Sequence, residues 1–152
     1  MKLAEALQMR SDMQKKIEDL RDRLFLSAKY QEGEKPFEDP SKLVKELDKV
    51  TEDLEDIIYK INYTNSKTET DQGSLTKILA KRDALKLKRS VYSSFADEAS
   101  NMGPRYTKME IKLYPSMDVN VLRKIVDDLS KELRQIELLV QQTNWTTDLI
   151  EK

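Results

Sequence analysis

A stripe of aliphatic residues decides the fold, and it is clearest in residues 42–64, which read KLVKELDKVTEDLEDIIYKINYT. The stripe consists of Leu43, Leu47, Val50, Leu54, Ile57 and Ile61. Steps that alternate between four and three residues place all of these side chains on one face of an α-helix. Just before the stripe, Asp39 is a good N-cap and Pro40 suits the first helical position. The stretch therefore predicts a long amphipathic helix that begins near residue 40.

Three further stripes of this kind flank it. The N-terminal stripe is Leu3, Ala6, Arg10, Met13, Ile17, Leu20 and Leu24; the third is Leu75, Ile78, Leu79, Leu85, Tyr92, Phe95 and Ala99; the fourth is Val119, Leu122, Val126, Leu129, Leu133, Ile136 and Val140. Ser74 and Asp118 can cap the third and fourth helices. Because heptad spacing favours shallow crossing angles, we predict a mostly α single domain over 1–152. It is a four-helix bundle of two coiled-coil-like hairpins.

The two halves of the chain resemble each other. A shift of 82 residues places 42–64 over 124–146, and both stretches end on an Asn-aromatic-Thr motif. The motif residues are Asn62, Tyr63 and Thr64 in the first copy and Asn144, Trp145 and Thr146 in the second. We predict half-repeats of about 1–65 and 75–150 related by a pseudo-twofold axis. Each Asn would close a helix in the left-handed conformation, and each aromatic ring would cover a hairpin end or a subunit interface.

Two short segments alternate between apolar and polar residues, which is a strand period. They are LSAKYQ at 26–31 and KMEIKL at 108–113. Both follow a predicted helix, so they could pair with each other or across a subunit interface. The sequence therefore predicts a short two-stranded β-ribbon at 26–31 and 108–113.

The composition excludes several classes of function. The chain has no His and no Cys, which removes thiol chemistry, zinc sites of the usual kind and His-based general bases. Its net charge is −1, which gives no reason to expect nucleic-acid binding. Neither a signal peptide nor a run of about 20 apolar residues is visible. We expect a cytoplasmic protein that is not an enzyme and uses no metal or cofactor.

Charged residues interrupt the apolar stripes at a few positions. Arg10, Arg82 and Arg89 stand where apolar residues belong, and Asp83 follows Arg82 directly. These arginines can pair with carboxylates or extend their charged ends to the bundle edge. Alternatively, clustered guanidinium groups can bind an anion. Arg10, Arg82, Asp83 and Arg89 are therefore the candidate anion or ion-pair cluster.

Several stretches together resemble one family. They include AKYQEGEKPFEDP, GSLTKILAKRDALKLK, RYTKMEIK and LSKELRQIELLVQQTNWTTDL. Over nearly the whole chain, the sequence is similar to the septicolysin-like family of small bacterial helical proteins. The resemblance implies a homo-oligomer, with a hexamer as its form, and the family name implies a pore-forming cytolysin that meets a membrane. It brings no catalytic residue.

Three functions follow as hypotheses. The leading one is a non-enzymatic, self-associating helical-bundle protein with an interaction or scaffold role. The first alternative is the cytolysin that the family name implies. The second is an anion-binding or small-ligand-binding protein, or an enzyme, that uses the arginine and carboxylate groups of the stripes.

Overall fold

Four helices account for most of the chain in the computed structural model, which describes residues 1–101 and 111–151. Their order along the chain is α1 (Leu3–Leu26), α2 (Pro40–Lys67), α3 (Leu75–Ser100) and α4 (Val119–Thr146), with strands β1 (Glu69–Thr70) and β2 (Gly73–Ser74) between α2 and α3. Helices α1 and α2 pack as one hairpin, and α3 and α4 as the other. The predicted mostly α fold of two hairpins is confirmed.

Short-range chemistry sets three of the helix starts as the sequence predicts. The side chain of Asp39 accepts a hydrogen bond from the backbone N of Ser41 (3.0 Å), and Pro40 fills the first helical position. Ser74 Oγ accepts from Lys77 N (3.2 Å). Asp118 caps α4 in the same way as Asp39 caps α2. Each cap satisfies a backbone N–H that would otherwise have no partner.

The two-stranded sheet lies elsewhere than predicted. It is the tight ribbon of β1 and β2, in which Glu69 pairs with Ser74 and Thr70 with Gly73. Residues 26–31 contain the last residue of α1 followed by turns, and 111–113 are not paired as a strand within the chain; 108–110 lie outside the described residues. Within the described part of the chain the two segments therefore do not form the predicted ribbon, because alternation over six residues cannot distinguish a strand from an irregular linker. Pairing across a subunit interface stays a prediction.

The core is concentrated at the end of the bundle that holds β1 and β2. There all four helices contribute buried side chains, namely Leu3, Ala6, Ile57, Ile61, Leu75, Ile78, Ile136 and Val140, joined by Leu149. Beyond this base, the helices of each hairpin pack mainly on each other. We call the distal part of α1–α2, from Ile17 to Val50, the first arm. The distal parts of α3 and α4, residues 86–100 and 119–130, are the second arm.

The internal repeat exists, but its register differs from the predicted one. Asp39 and Asp118 cap the N-termini of α2 and α4, and Thr68 and Thr147 stand at their C-termini, 79 positions apart in both cases. The buried residues recur at the same shift, as Leu43/Leu122, Val50/Leu129, Ile57/Ile136 and Ile61/Val140. The predicted shift of 82 is wrong by three residues, because an apolar stripe with steps of three and four nearly matches itself at either shift.

Helices α1 and α3 also correspond, at a shift of 72 residues. Residues 3–10 read LAEALQMR and residues 75–82 read LTKILAKR, so Arg10 and Arg82 are counterparts. The first backbone N–H of each helix makes the same bond: Leu3 N donates to Thr147 O (2.9 Å), and Leu75 N donates to Thr68 O (2.8 Å). The pair Lys2–Asp148 likewise repeats the pair Ser74–Glu69. The hairpins are therefore pseudo-symmetric, and the two ends of the described chain mimic the β1–β2 connection.

Candidate functional site

Helix α3 carries apolar residues on its solvent-facing side. We call Ala80, Ala84, Leu87, Val91 and Phe95 the outer stripe of α3. Leu87 is 71% exposed and Val91 is 68% exposed. Their steps of four and three residues place them on one face, opposite the core residues Leu75 and Ile78. Helix α3 is thus apolar on two faces.

The equivalent face of α1 has the opposite character. At the shift of 72, the counterparts of the outer stripe are Gln8, Asp12, Lys15, Asp19 and Arg23. All are polar or charged. A solvated helix face normally looks like that of α1, whereas a continuous apolar face on a helix marks a surface that another molecule covers. The outer stripe is therefore the candidate interaction site.

The inner faces of the two helices also differ. Ile17 in α1 packs against the aliphatic cluster of Leu20, Leu43 and Val50. Its counterpart in α3 is Arg89, which is half-buried beside Ser93 and lines a groove between α3 and α4. At matching positions, α3 thus has a cation where α1 has an inward aliphatic residue, and it has aliphatic residues where α1 has outward polar ones.

The predicted ion-pair cluster is only partly assembled. Arg82 Nε donates to Asp83 Oδ1 (3.1 Å) and lies 4.0 Å from Glu137 Oε1, which also pairs with Lys86 (3.1 Å). Arg89 lies two turns further along α3, and Arg10 lies in the other hairpin. Among the described residues, no hydrogen bond or ion pair joins Arg10 or Arg89 to Arg82 or Asp83. Arg82 is an ion-paired side chain, and Arg89 is separate from it.

The Asn-aromatic-Thr motifs do not close helices. Asn62, Tyr63 and Thr64 lie inside α2, which continues to Lys67, and Asn144, Trp145 and Thr146 form the last turn of α4. Every positive φ in the described chain belongs to glycine, so neither Asn is left-handed. Trp145 is 66% exposed, so the predicted packing of its ring over a hairpin end is wrong. The alternative, that it contacts a neighbouring subunit, stays a prediction.

The threonines of these motifs bond to nearby backbone. Buried Thr64 donates to Lys60 O (2.8 Å) and accepts from Ile150 N (2.9 Å), so it fixes the chain after α4 to α2. Thr146 Oγ1 donates to Gln142 O (2.9 Å). The shared motif thus reflects backbone bonding within helices rather than two identical helix ends.

An ion pair stabilises the tip of the first arm. Arg23 donates to both carboxylate oxygens of Glu38, at 2.9 Å from Nε and 2.6 Å from Nη2. These hydrogen bonds lower the pKa of Glu38 below its ordinary value and raise the pKa of Arg23 further. Glu38 N also donates to the buried Ser27 Oγ (3.2 Å). The linker between α1 and α2 is therefore held against the end of α1.

Sequence reasoning missed the outer stripe. It placed Phe95 in the core stripe of the third helix, but Phe95 is an exposed residue. The available signal was the series of steps four, three, four and four from Ala80 to Phe95, which runs beside the core stripe. Two apolar faces on one helix are the sequence signature of such a surface.

Residues 10–149 match DUF6847, a family of unknown function. The chain belongs to this family. It is also similar to a solved structure, described as the crystal structure of a functionally unknown conserved protein from Corynebacterium diphtheriae. The two are 40% identical, the match covers 99% of each chain, and the TM-score is 0.93. Comparison with curated proteins gives no match.

These findings overturn the resemblance to the septicolysin-like family. The cytolysin activity and the hexamer that the resemblance implied therefore lose their basis. No helix in the described ranges combines the length and the apolar character that are needed to cross a bilayer.

Proposed function

We propose that the protein is a non-enzymatic helical-bundle protein that assembles with a second copy of itself through the outer stripe of α3. The contrast between α3 and α1 supports this proposal most directly. The same position in two pseudo-symmetric hairpins carries five polar residues in one and five apolar residues in the other. An apolar stripe of this kind, from residue 80 to 95, is about 22 Å long at 1.5 Å per residue.

The side chains of the outer stripe are accessible to a second copy. Leu87 is 71% exposed, Val91 68% and Phe95 39%, so a partner can cover them without opening the core. Because a stable protein–protein interface buries roughly 1,600 Å² in total, the stripe would form the centre of a wider contact.

The order of residues along α3 favours an antiparallel pair of helices. If a twofold axis passes close to Leu87, Ala84 of one copy faces Val91 of the other, and Ala80 faces Phe95. Small side chains then lie opposite large ones, which allows close packing. Lys77 and Glu98, at opposite ends of the stripe, would also meet across the interface. A parallel pair would instead bring like charges together.

Multi-angle light scattering at tens of micromolar tests the proposal. The wild type is expected at twice the 17.8 kDa chain mass. Leu87→Glu combined with Val91→Glu should give the monomer mass, because a charge in a desolvated apolar interface is costly. The matched control is Lys15→Glu with Asp19→Lys on the equivalent face of α1, which should leave the mass unchanged. A monomeric wild type, or a double variant that still dimerises, would refute this interface.

Charge reversal tests the antiparallel orientation separately. Glu98→Lys should weaken the dimer, because it would face Lys77 of the partner copy. Adding Lys77→Glu to the same chain should restore the dimer, since each interface pair is then opposite in sign again. The measurement is the dimer dissociation constant by sedimentation equilibrium. Equal weakening by the single and the double variant would contradict the antiparallel arrangement.

A further inference from the structure

A groove of about 390 Å³ lies between α3 and α4 in the second arm. Its lining residues are Lys86, Arg89, Ser90, Ser93, Ser94, Val126 and Ser130. Among the described residues, the lining therefore combines two cations with four hydroxyl groups and has no carboxylate. Its volume falls in the range of roughly 300–1,000 Å³ that small-molecule sites occupy.

Most hydrogen-bond donors of the groove are not engaged elsewhere in the described part of the chain. Lys86 Nζ contacts Glu137 (3.1 Å), and Ser130 Oγ donates to Val126 O (2.8 Å). Arg89, by contrast, makes no ion pair with any residue in the described ranges, although it is half-buried. A half-buried guanidinium group costs stability unless an acceptor satisfies its N–H groups.

The first arm shows that the fold does not require this chemistry. The counterparts of Lys86, Arg89, Ser90 and Ser94 are Gln14, Ile17, Glu18 and Asp22. An aliphatic residue thus fills the position of Arg89, and carboxylates stand in place of Ser90 and Ser94, whereas Arg21 stands in place of Ser93. The cationic, carboxylate-free groove is therefore particular to the second arm.

We propose that this groove binds a small molecule that carries a phosphate group. The planar guanidinium of Arg89 can donate two parallel hydrogen bonds to phosphate oxygens. Ser90, Ser93 and Ser94 also line the groove, and their hydroxyls can donate to the remaining oxygens. Lys86 adds positive charge at the edge of the groove while it stays paired with Glu137. Arg89 lies on the side of α3 opposite the outer stripe, whereas Ser94, seven residues after Leu87, borders that stripe.

Titration of the full chain with inorganic phosphate and with pyrophosphate tests the proposal, with sodium chloride at matched ionic strength as the reference. The readout is the ¹H–¹⁵N spectrum. Saturable shifts are expected at the amides of Ser90, Ser93 and Ser94 and at Arg89 Nε–H. Arg89→Ile should weaken binding by about tenfold or more, because a charge-assisted bond is lost. This variant is expected to fold, since α1 has Ile17 at the same position.

Two further variants make the result specific. Arg89→Lys keeps the charge but not the two-pronged geometry, so it should bind more weakly than the wild type. Arg134→Gln removes an exposed arginine of α4 and should bind as the wild type does. The proposal is overturned if neither phosphate nor pyrophosphate gives saturable shifts, or if Arg134→Gln weakens binding as much as Arg89→Ile.

Discussion

The two hairpins have corresponding helices but carry different kinds of side chain on the inward and outward faces of those helices. In the first arm, α1 has Ile17 facing inward and Asp19 facing outward. In the second arm, α3 has Arg89 inward and Val91 outward at the matching positions. The two arms therefore carry different side chains at the same inward position, although the second arm still buries Ala96, Leu122 and Leu129. This difference is the basis for proposing that the second arm contacts a second copy and a phosphate-bearing molecule.

Replacing each inward residue by its counterpart in the other arm should have the largest effect on the free energy of unfolding. Ile17→Arg places a guanidinium group in an aliphatic cluster and should lower the free energy of unfolding by roughly 1–3 kcal/mol. Arg89→Ile fills the inner face of α3 and should raise that free energy by roughly 0.5–2 kcal/mol. Urea denaturation of each variant, without added phosphate, measures both values.

The control for this exchange is Arg134→Ile, a change at an exposed position of α4. It should alter the free energy of unfolding by less than about 0.5 kcal/mol. If Arg89→Ile instead destabilises the protein as much as Ile17→Arg does, Arg89 holds the second arm together. The proposed difference between the arms would then be wrong.

A circular permutant sharpens the comparison of the half-repeats. In this permutant a new peptide bond joins Glu151 to Met1, so the paired chain ends form a turn like the one between β1 and β2. The chain is opened between Asp71 and Gln72, within the original turn. Because Leu3–Thr147 and Leu75–Thr68 make the same bond, the permutant should fold with an unchanged helical circular-dichroism spectrum. Its melting temperature should fall by no more than about 4 °C, or ~1 kcal/mol at this chain length.

The matched control is a permutant with the same new joint that opens inside α2, between Glu52 and Asp53. It should lose most of its helicity, because it interrupts a helix that packs in the core of the hairpin. If the first permutant is as damaged as the second, the two connections are not equivalent and the pseudo-symmetry does not extend to the base of the bundle.

The smallest expected effect concerns the tip of the first arm. Because Arg23 lowers the pKa of folded Glu38, the charged form of Glu38 stabilises the fold above its ordinary pKa of 4.5, and this contribution disappears as the pH falls through the lowered value. Glu38→Gln should therefore lower the melting temperature slightly at about pH 7, and this difference should shrink as the pH falls below 4.5. The matched control is Glu34→Gln in the same linker, since no ion pair joins Glu34 to another described residue. A difference that persists undiminished in acid would show that Glu38 acts through packing instead.

The sequence by itself determined the local features of this protein. The four helices follow from apolar steps of three and four residues, and three of their starts follow from Asp39, Ser74 and Asp118. These signals act within one or two helical turns, so neighbouring residues contain all the necessary information. The pairing of the helices into hairpins does not follow from linker length, because the linkers within the hairpins, 27–39 and 101–118, are longer than 68–74, which joins α2 to α3.

Only the tertiary structure decided which surfaces meet. In the structure, α2 corresponds to α4 at a shift of 79 residues and α1 to α3 at a shift of 72, rather than at the predicted 82. The ribbon lies at 69–74, and Trp145 is exposed. The tertiary structure also determines which face of α3 packs against α4. Arg89 lies on that inward face, and Leu87 lies on the outward face. A helix with two apolar faces has no local reason to bury either one. That choice depends on which face complements α4, and such complementarity is a property of residues far apart in the chain.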